Sequence, residues 1–79
     1  MPCVICGARP SDPDHIRSKG SGGHDEPSNL APLCRWHHTE RHYVGVATLA
    51  HRYPKYKAFI ESLGWEVKLV NVWKRKNPS

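Results

Sequence analysis

Residues 34–42 read Cys34-Arg35-Trp36-His37-His38-Thr39-Glu40-Arg41-His42, and they decide how the rest of the 79-residue chain can fold. Two spacings overlap in this stretch. Cys34 and His37 are three positions apart, the separation at which one turn of backbone brings a thiolate and an imidazole to the same metal ion. His38 and His42 are four apart, so on a helix both imidazoles leave one face and can reach a second ion. The segment therefore predicts a helix from Cys34 to Tyr43 or Val44, stopped by Gly45 as its C-terminal cap. Glu40 does not turn the histidine pair into a metalloprotease motif. That motif needs Glu directly after the first His, and Glu40, two positions on, points away from the shared face.

The remaining ligands of the first ion lie at the N-terminus. Cys3-Val4-Ile5-Cys6-Gly7 has the form of a zinc knuckle, a tight turn presenting two thiolates. With Cys34 and His37 it makes a Cys3His set that ties the chain start to the start of the helix. His38 is the competing choice for the fourth ligand, and His37 is preferred because His38 is needed for the pair with His42. The chain has reason to use such a closure: it is short and only 38% hydrophobic, too little apolar surface for a self-sufficient core. Three cysteines cannot all pair among themselves. There is no leader-like opening and no apolar run near the roughly 20 residues that span a bilayer, which predicts a soluble, cytoplasmic chain with reduced thiols.

Between knuckle and helix, Asp14-His15-Ile16-Arg17 predicts a short strand. The Gly-rich stretch Ser18 to Ser28 predicts a surface loop, and Asn29-Leu30-Ala31-Pro32-Leu33 a second strand with Pro32 at an edge or bend. Asp14 and His15 offer the third ligand and the base that the His38/His42 pair lacks. Adjacent residues of a strand face opposite sides, so a twist or bulge is expected if both are to serve one site. After Gly45 a helix is predicted over Val46 to Tyr53, then a third that opens on Pro54 and ends before Gly64. Tyr56, Phe59, Ile60 and Leu63 form its apolar face. Trp65 to Val70 predicts a terminal strand, with Trp65 and Trp73 as packing residues, and Lys74-Arg75-Lys76 begins a basic tail. The organisation expected is a core at 1–45 and a helical extension at 46–79, packed as one α+β domain.

Taken in order, Cys3-x2-Cys6, Asp14-His15-Ile16, Gly22-Gly23, Asn29-Leu30, Leu33-Cys34 and His37-His38-x3-His42 resemble the zinc-braced HNH endonucleases, especially small phage-encoded members. The resemblance covers residues 3–42. It implies a ββα-metal fold, here with additional C-terminal helices. It further implies that Asp14, His38 and His42 hold a catalytic ion and that His15 is the general base. Asn29 would either constrain the loop behind the base or approach the metal. His37 stands where many relatives have Cys.

The chemistry suits these residue types. A divalent ion neutralises charge developing on an attacked phosphodiester, and an imidazole, with an ordinary pKa of about 6.5, can accept a proton from water near neutral pH. The products that the resemblance implies are a 5′-phosphate and a 3′-hydroxyl. Two imidazoles and a carboxylate suit Mg²⁺ or Mn²⁺, and also Co²⁺ or Ni²⁺, beside the structural Zn²⁺. The net charge of +5 suits double-stranded DNA as partner, with Arg17, Lys19, Arg35 and Arg41 as candidate phosphate contacts; Arg52, Lys55 and Lys57 extend the basic surface. No recognition module is evident, which predicts weak sequence preference. His24 and His51 are expected to be surface residues. Two further classes fit the same sequence: a non-catalytic zinc-knuckle module that binds nucleic acid, and a phage DNA-packaging accessory that cuts only with a partner.

Overall fold

The computed structural model describes residues 1–17 and 26–74. The expectations for Lys19, the loop glycines, His24 and the basic residues after Lys74 lie outside them. Strand β1 (Ser11–His15) pairs antiparallel with β2 (Leu30–Cys34), and helix α1 (Arg35–Val44) follows without a break. Helices α2 (Val46–Arg52) and α3 (Pro54–Ser62) come next. A hairpin of β3 (Trp65–Val67) and β4 (Val72–Lys74) ends the described chain. None of the described helices is long and apolar enough to cross a membrane.

The knuckle is a closed turn in which the Gly7 amide donates to the Cys3 carbonyl at 2.8 Å and the Cys3 amide to Ala8 at 3.0 Å. Gly7 sits at φ 75°, where a Cβ would be strained. The turn is sewn to the sheet by the Val4 amide, which donates to the Pro32 carbonyl at 2.9 Å. Pro13 and Pro32 face each other in the ladder. Neither has an N–H, so theirs must be a non-hydrogen-bonded pair. Such a pair aims its carbonyls outward, and that leaves Pro32 free to receive Val4.

β1 begins three residues earlier than the sequence predicts, because its partner runs to Cys34 and draws Ser11 and Asp12 into register. Its five pairs are uninterrupted. The ladder has no bulge at Asp14-His15, so convergence of the two side chains on one site falls to the twist of the strand end. A 3₁₀ turn at Pro27–Asn29 leads into β2.

α1 ends at Gly45, whose φ of 86° and amide bond to the Arg41 carbonyl make it the predicted stop. Pro54 opens α3, as its fixed φ favours. The core draws on the knuckle, β2, α2, α3, β3 and the residue that follows β1: Cys3, Ile16, Leu33, Leu49, Tyr56, Ile60 and Trp65 are all buried. From the predicted apolar face of α3, Tyr56 and Ile60 are buried while Phe59 and Leu63 are half-buried. Trp65 packs inward as expected, and its indole N–H donates to the Ser28 carbonyl at 2.7 Å.

Two expectations for the C-terminal part need correction. The segment after Trp65 is a hairpin and not a single strand, and β4 incorporates Lys74, the first residue of the expected tail. Trp73 is more than half exposed because it lies opposite Glu66 on the outward face of that hairpin.

Leu49 is fully buried at the centre of the core. Leu49→Ala should lower the unfolding free energy by about 2–5 kcal/mol, read from the urea midpoint.

Candidate metal centres and active site

Four donors converge where the knuckle meets the first turn of α1. Ligand atoms of Cys3, Cys6, Cys34 and His37 all lie within 4.8 Å of one another. The Cys6 and Cys34 sulfurs are 3.8 Å apart, and His37 Nδ1 lies 3.6 Å from Cys3 Sγ and 3.3 Å from Cys34 Sγ. A tetrahedral zinc with bonds of about 2.3 Å to sulfur and about 2.0 Å to nitrogen would put sulfurs roughly 3.8 Å apart and sulfur and nitrogen roughly 3.5 Å apart. The donor set therefore suits zinc in both chemistry and dimension. Burial opposes the Cys3 thiolate, yet hydrogen bonds from the backbone at Cys34, Cys6 and Ile5, with the His37 side chain, outweigh it and bring the pKa down to about 6. The Cys6 thiol moves up: its bond from the Ala8 backbone favours the thiolate, but burial and the neighbouring Cys3 and Cys34 together prevail. A cation among the sulfurs would relieve that crowding.

His37 is braced from the far side. The Tyr53 ring meets its imidazole edge-on at 5.1 Å, and the Tyr53 hydroxyl donates to Glu40 at 2.8 Å. Glu40 also accepts from Arg52 at 2.7 Å, so Arg52 is engaged within the fold, and this pairing holds the Glu40 carboxyl below its usual range. Glu40 thus points away from the His38/His42 face, as its spacing requires.

On that other face, His38 Nε2 and His42 Nε2 are 3.0 Å apart. The Asp14 carboxylate, buried opposite Ala31 in the sheet, lies behind them, with Oδ1 3.0 Å from His38 Nδ1. Arg41 grips the same carboxylate with two bonds of 2.8 Å, from Nε to Oδ2 and from Nη2 to Oδ1. Two placements differ from the sequence reading. Asp14, His38 and His42 are neighbours, but their donor atoms do not close into a compact three-ligand group, because the guanidinium takes both carboxylate oxygens. Arg41, expected on the DNA-facing surface, is turned inward to neutralise Asp14. An odd charge buried in a sheet needs a counter-charge, which is the signal that could have located it.

Asn29 is buried and spends its amide on the backbone that follows His15. Its Oδ1 accepts from the Arg17 amide at 2.8 Å and its Nδ2 donates to the Arg17 carbonyl at 2.9 Å. Both ends of its amide thus hold the chain two residues beyond His15. The Ile16 amide donates to the Asn29 carbonyl at 2.9 Å, completing the clamp. His15 is half-buried at the end of β1, and Arg17 and Arg35 are exposed. His51 is exposed and bonds the Lys68 carbonyl at 2.9 Å, away from either centre.

Removing zinc with a strong chelator, or replacing Cys6 with Ser, should lower the thermal midpoint sharply, and metal analysis should give one tightly held zinc per chain. Arg41→Met should strand the buried Asp14 charge and cost about 3–5 kcal/mol in denaturant unfolding, with zinc content retained.

A family model described as HNH endonuclease matches residues 3–43, which takes in the Cys3His group and also Asp14, His15, His38 and His42. The uncharacterized protein YdfU of Escherichia coli strain K12 is 41% identical over 50 residues, covering 60% of this chain. The chain spans only 14% of that relative's length. No solved structure matches. The ordered ligand spacings, the β1-β2-α1 unit that carries them and a family match over more than half of its length place this chain in the HNH endonuclease family, with the α+β, ββα-metal fold.

Proposed function

We propose that this chain is a divalent-metal-dependent endonuclease that hydrolyses phosphodiester bonds in double-stranded DNA. The observation that carries the reading is the 3.0 Å approach of the His38 and His42 Nε2 atoms on the open side of α1. Adjacent ligands of an octahedral ion with bonds of about 2.1 Å are roughly 3.0 Å apart, so the pair fits two positions around Mg²⁺, Mn²⁺ or a similar cation. When bound, that cation would offset the charge that develops on the attacked phosphate and the departing oxygen.

In this reading Asp14, His38 and His42 make up the cation site. The two imidazoles present their Nε2 lone pairs, and the Asp14 carboxylate, held by Arg41, stands behind His38 with Oδ1 3.0 Å from its Nδ1. His15, at the end of β1, takes the proton from the attacking water. Asn29 holds the backbone beyond it so that the imidazole keeps its position. Arg17 and Arg35, both exposed, engage flanking phosphates.

The second reading, a zinc module that binds nucleic acid without cutting it, draws on the Arg41 grip on Asp14. Metal stoichiometry separates the two. The enzyme takes one firmly held zinc and one exchangeable divalent ion, whereas the module takes zinc alone.

His15→Ala should reduce nicking of supercoiled plasmid by about 10²-fold or more while zinc content and thermal midpoint stay at wild-type values. Undiminished cutting by the variant would remove His15 from the mechanism. Wild-type chain that leaves plasmid intact with Mg²⁺, Mn²⁺, Co²⁺ and Ni²⁺ would favour the module.

A further inference from the structure

The turn between β3 and β4 is built against ordinary turn chemistry. Lys68-Leu69-Val70-Asn71 closes on a bond of 2.8 Å from the Lys68 amide to the Asn71 carbonyl, which puts Leu69 and Val70 at the two central positions. Such positions favour Gly, Asn and Asp. Here they hold two large aliphatic side chains that are 83% and 81% exposed. Neither adopts a positive φ, so backbone geometry gives no reason for the choice.

The tip is also held firmly. His51 on α2 donates to the Lys68 carbonyl at 2.9 Å, and Trp65 at the base of the stem is buried and bonded to Ser28. A small chain with a thin core thus displays an adjacent apolar pair on a braced support.

The surroundings indicate an occupant. Val70 and Asn71 form one wall of a groove of about 300 Å³ whose other wall includes Arg17 and Arg41. Arg41 is the residue that grips Asp14, so one side chain joins the lining of the groove to the candidate cation site. Of its two arginines Arg41 is spent on Asp14 while Arg17 is exposed, and no carboxylate is among the described residues lining it, which suits a polyanion.

We propose that Leu69 and Val70 are an apolar wedge that enters the minor groove of duplex DNA and opens a base step close to the scissile phosphate, while Arg17 contacts the backbone alongside. Apolar side chains inserted between base pairs partly unstack and kink the duplex, which widens access to the backbone. The inference rests on the nuclease reading above. It goes beyond it by assigning the C-terminal hairpin to substrate deformation and not to packing alone.

The test uses the zinc-loaded chain, a set of duplexes carrying 2-aminopurine at successive positions, and the double variant Leu69→Ser/Val70→Ser. Hydrolysis of bis(p-nitrophenyl) phosphate with Mn²⁺ reports the catalytic centre without DNA deformation. Wild-type protein should raise 2-aminopurine fluorescence at one step near the cut. The double variant should lose that signal and bind duplex about 10-fold or more weakly, yet hydrolyse the small diester at the wild-type rate. The milder pair Leu69→Gln and Val70→Thr should give the same direction with unchanged thermal midpoint, which removes misfolding as an explanation. A wild-type chain that cuts DNA with no fluorescence change, or a double variant that binds and cuts duplex normally, overturns the wedge and leaves the nuclease standing. Loss of self-association in the variant with normal cutting overturns it too, and gives the tip to a second copy. A wild-type chain that hydrolyses neither DNA nor the small diester overturns both.

Discussion

The closure of Cys3, Cys6, Cys34 and His37 around one point is the constraint on which the rest of the molecule depends. It brings the first residues of the chain against the start of α1, and so sets where the β1-β2 ladder must lie between them. The Val4 bond to Pro32 then follows from the same placement, because the knuckle can rest only on the outward carbonyl of a non-hydrogen-bonded pair. A chain with so few large buried side chains gains from this closure what a larger domain gains from its core. The helices after Gly45 add the apolar mass, with Leu49, Tyr56 and Ile60 filling the space behind the sheet.

α1 carries three different obligations on three sides. His37 and Arg41 face inward, one to the sulfur cluster and the other to Asp14; His38 and His42 face outward together; and Glu40 turns toward Tyr53 and Arg52. Successive residues of a helix advance by about 100°, which is why so many functions fit within ten positions. The remaining side, with exposed Trp36 and Tyr43, lines a separate open groove with Arg35 and Thr39. Of the charged groups of this helix Glu40 is paired with Arg52 and Arg41 with Asp14, while Arg35 is exposed.

The spacings were legible because metal ligation imposes them locally: two residues between donors in a turn, three between donors on a helix face. The stops at Gly45 and before Pro54 were legible for the same reason, since backbone sterics act within a few residues. What escaped the sequence was set by partners far along the chain. β1 started early because Cys34, its pairing partner at the far end, lies 23 positions away from Ser11. The inward turn of Arg41 depends on a carboxylate 27 residues distant, and nothing near Arg41 announces it. β4 escaped because Lys74 reads as part of a charged tail until the Trp65 strand is seen to need an edge partner. The exposure of Trp73 is of the same kind, since the side of a strand that faces outward depends on register.

His37 and His38 are consecutive, yet they belong to different centres, one among the sulfurs and one opposite His42. A single peptide plane separates the two, so any turn of the α1 backbone that moves one imidazole moves the other. A backbone shift imposed by an ion among the sulfurs would therefore be felt on the His38/His42 face, and the helix would act as a rigid lever common to both.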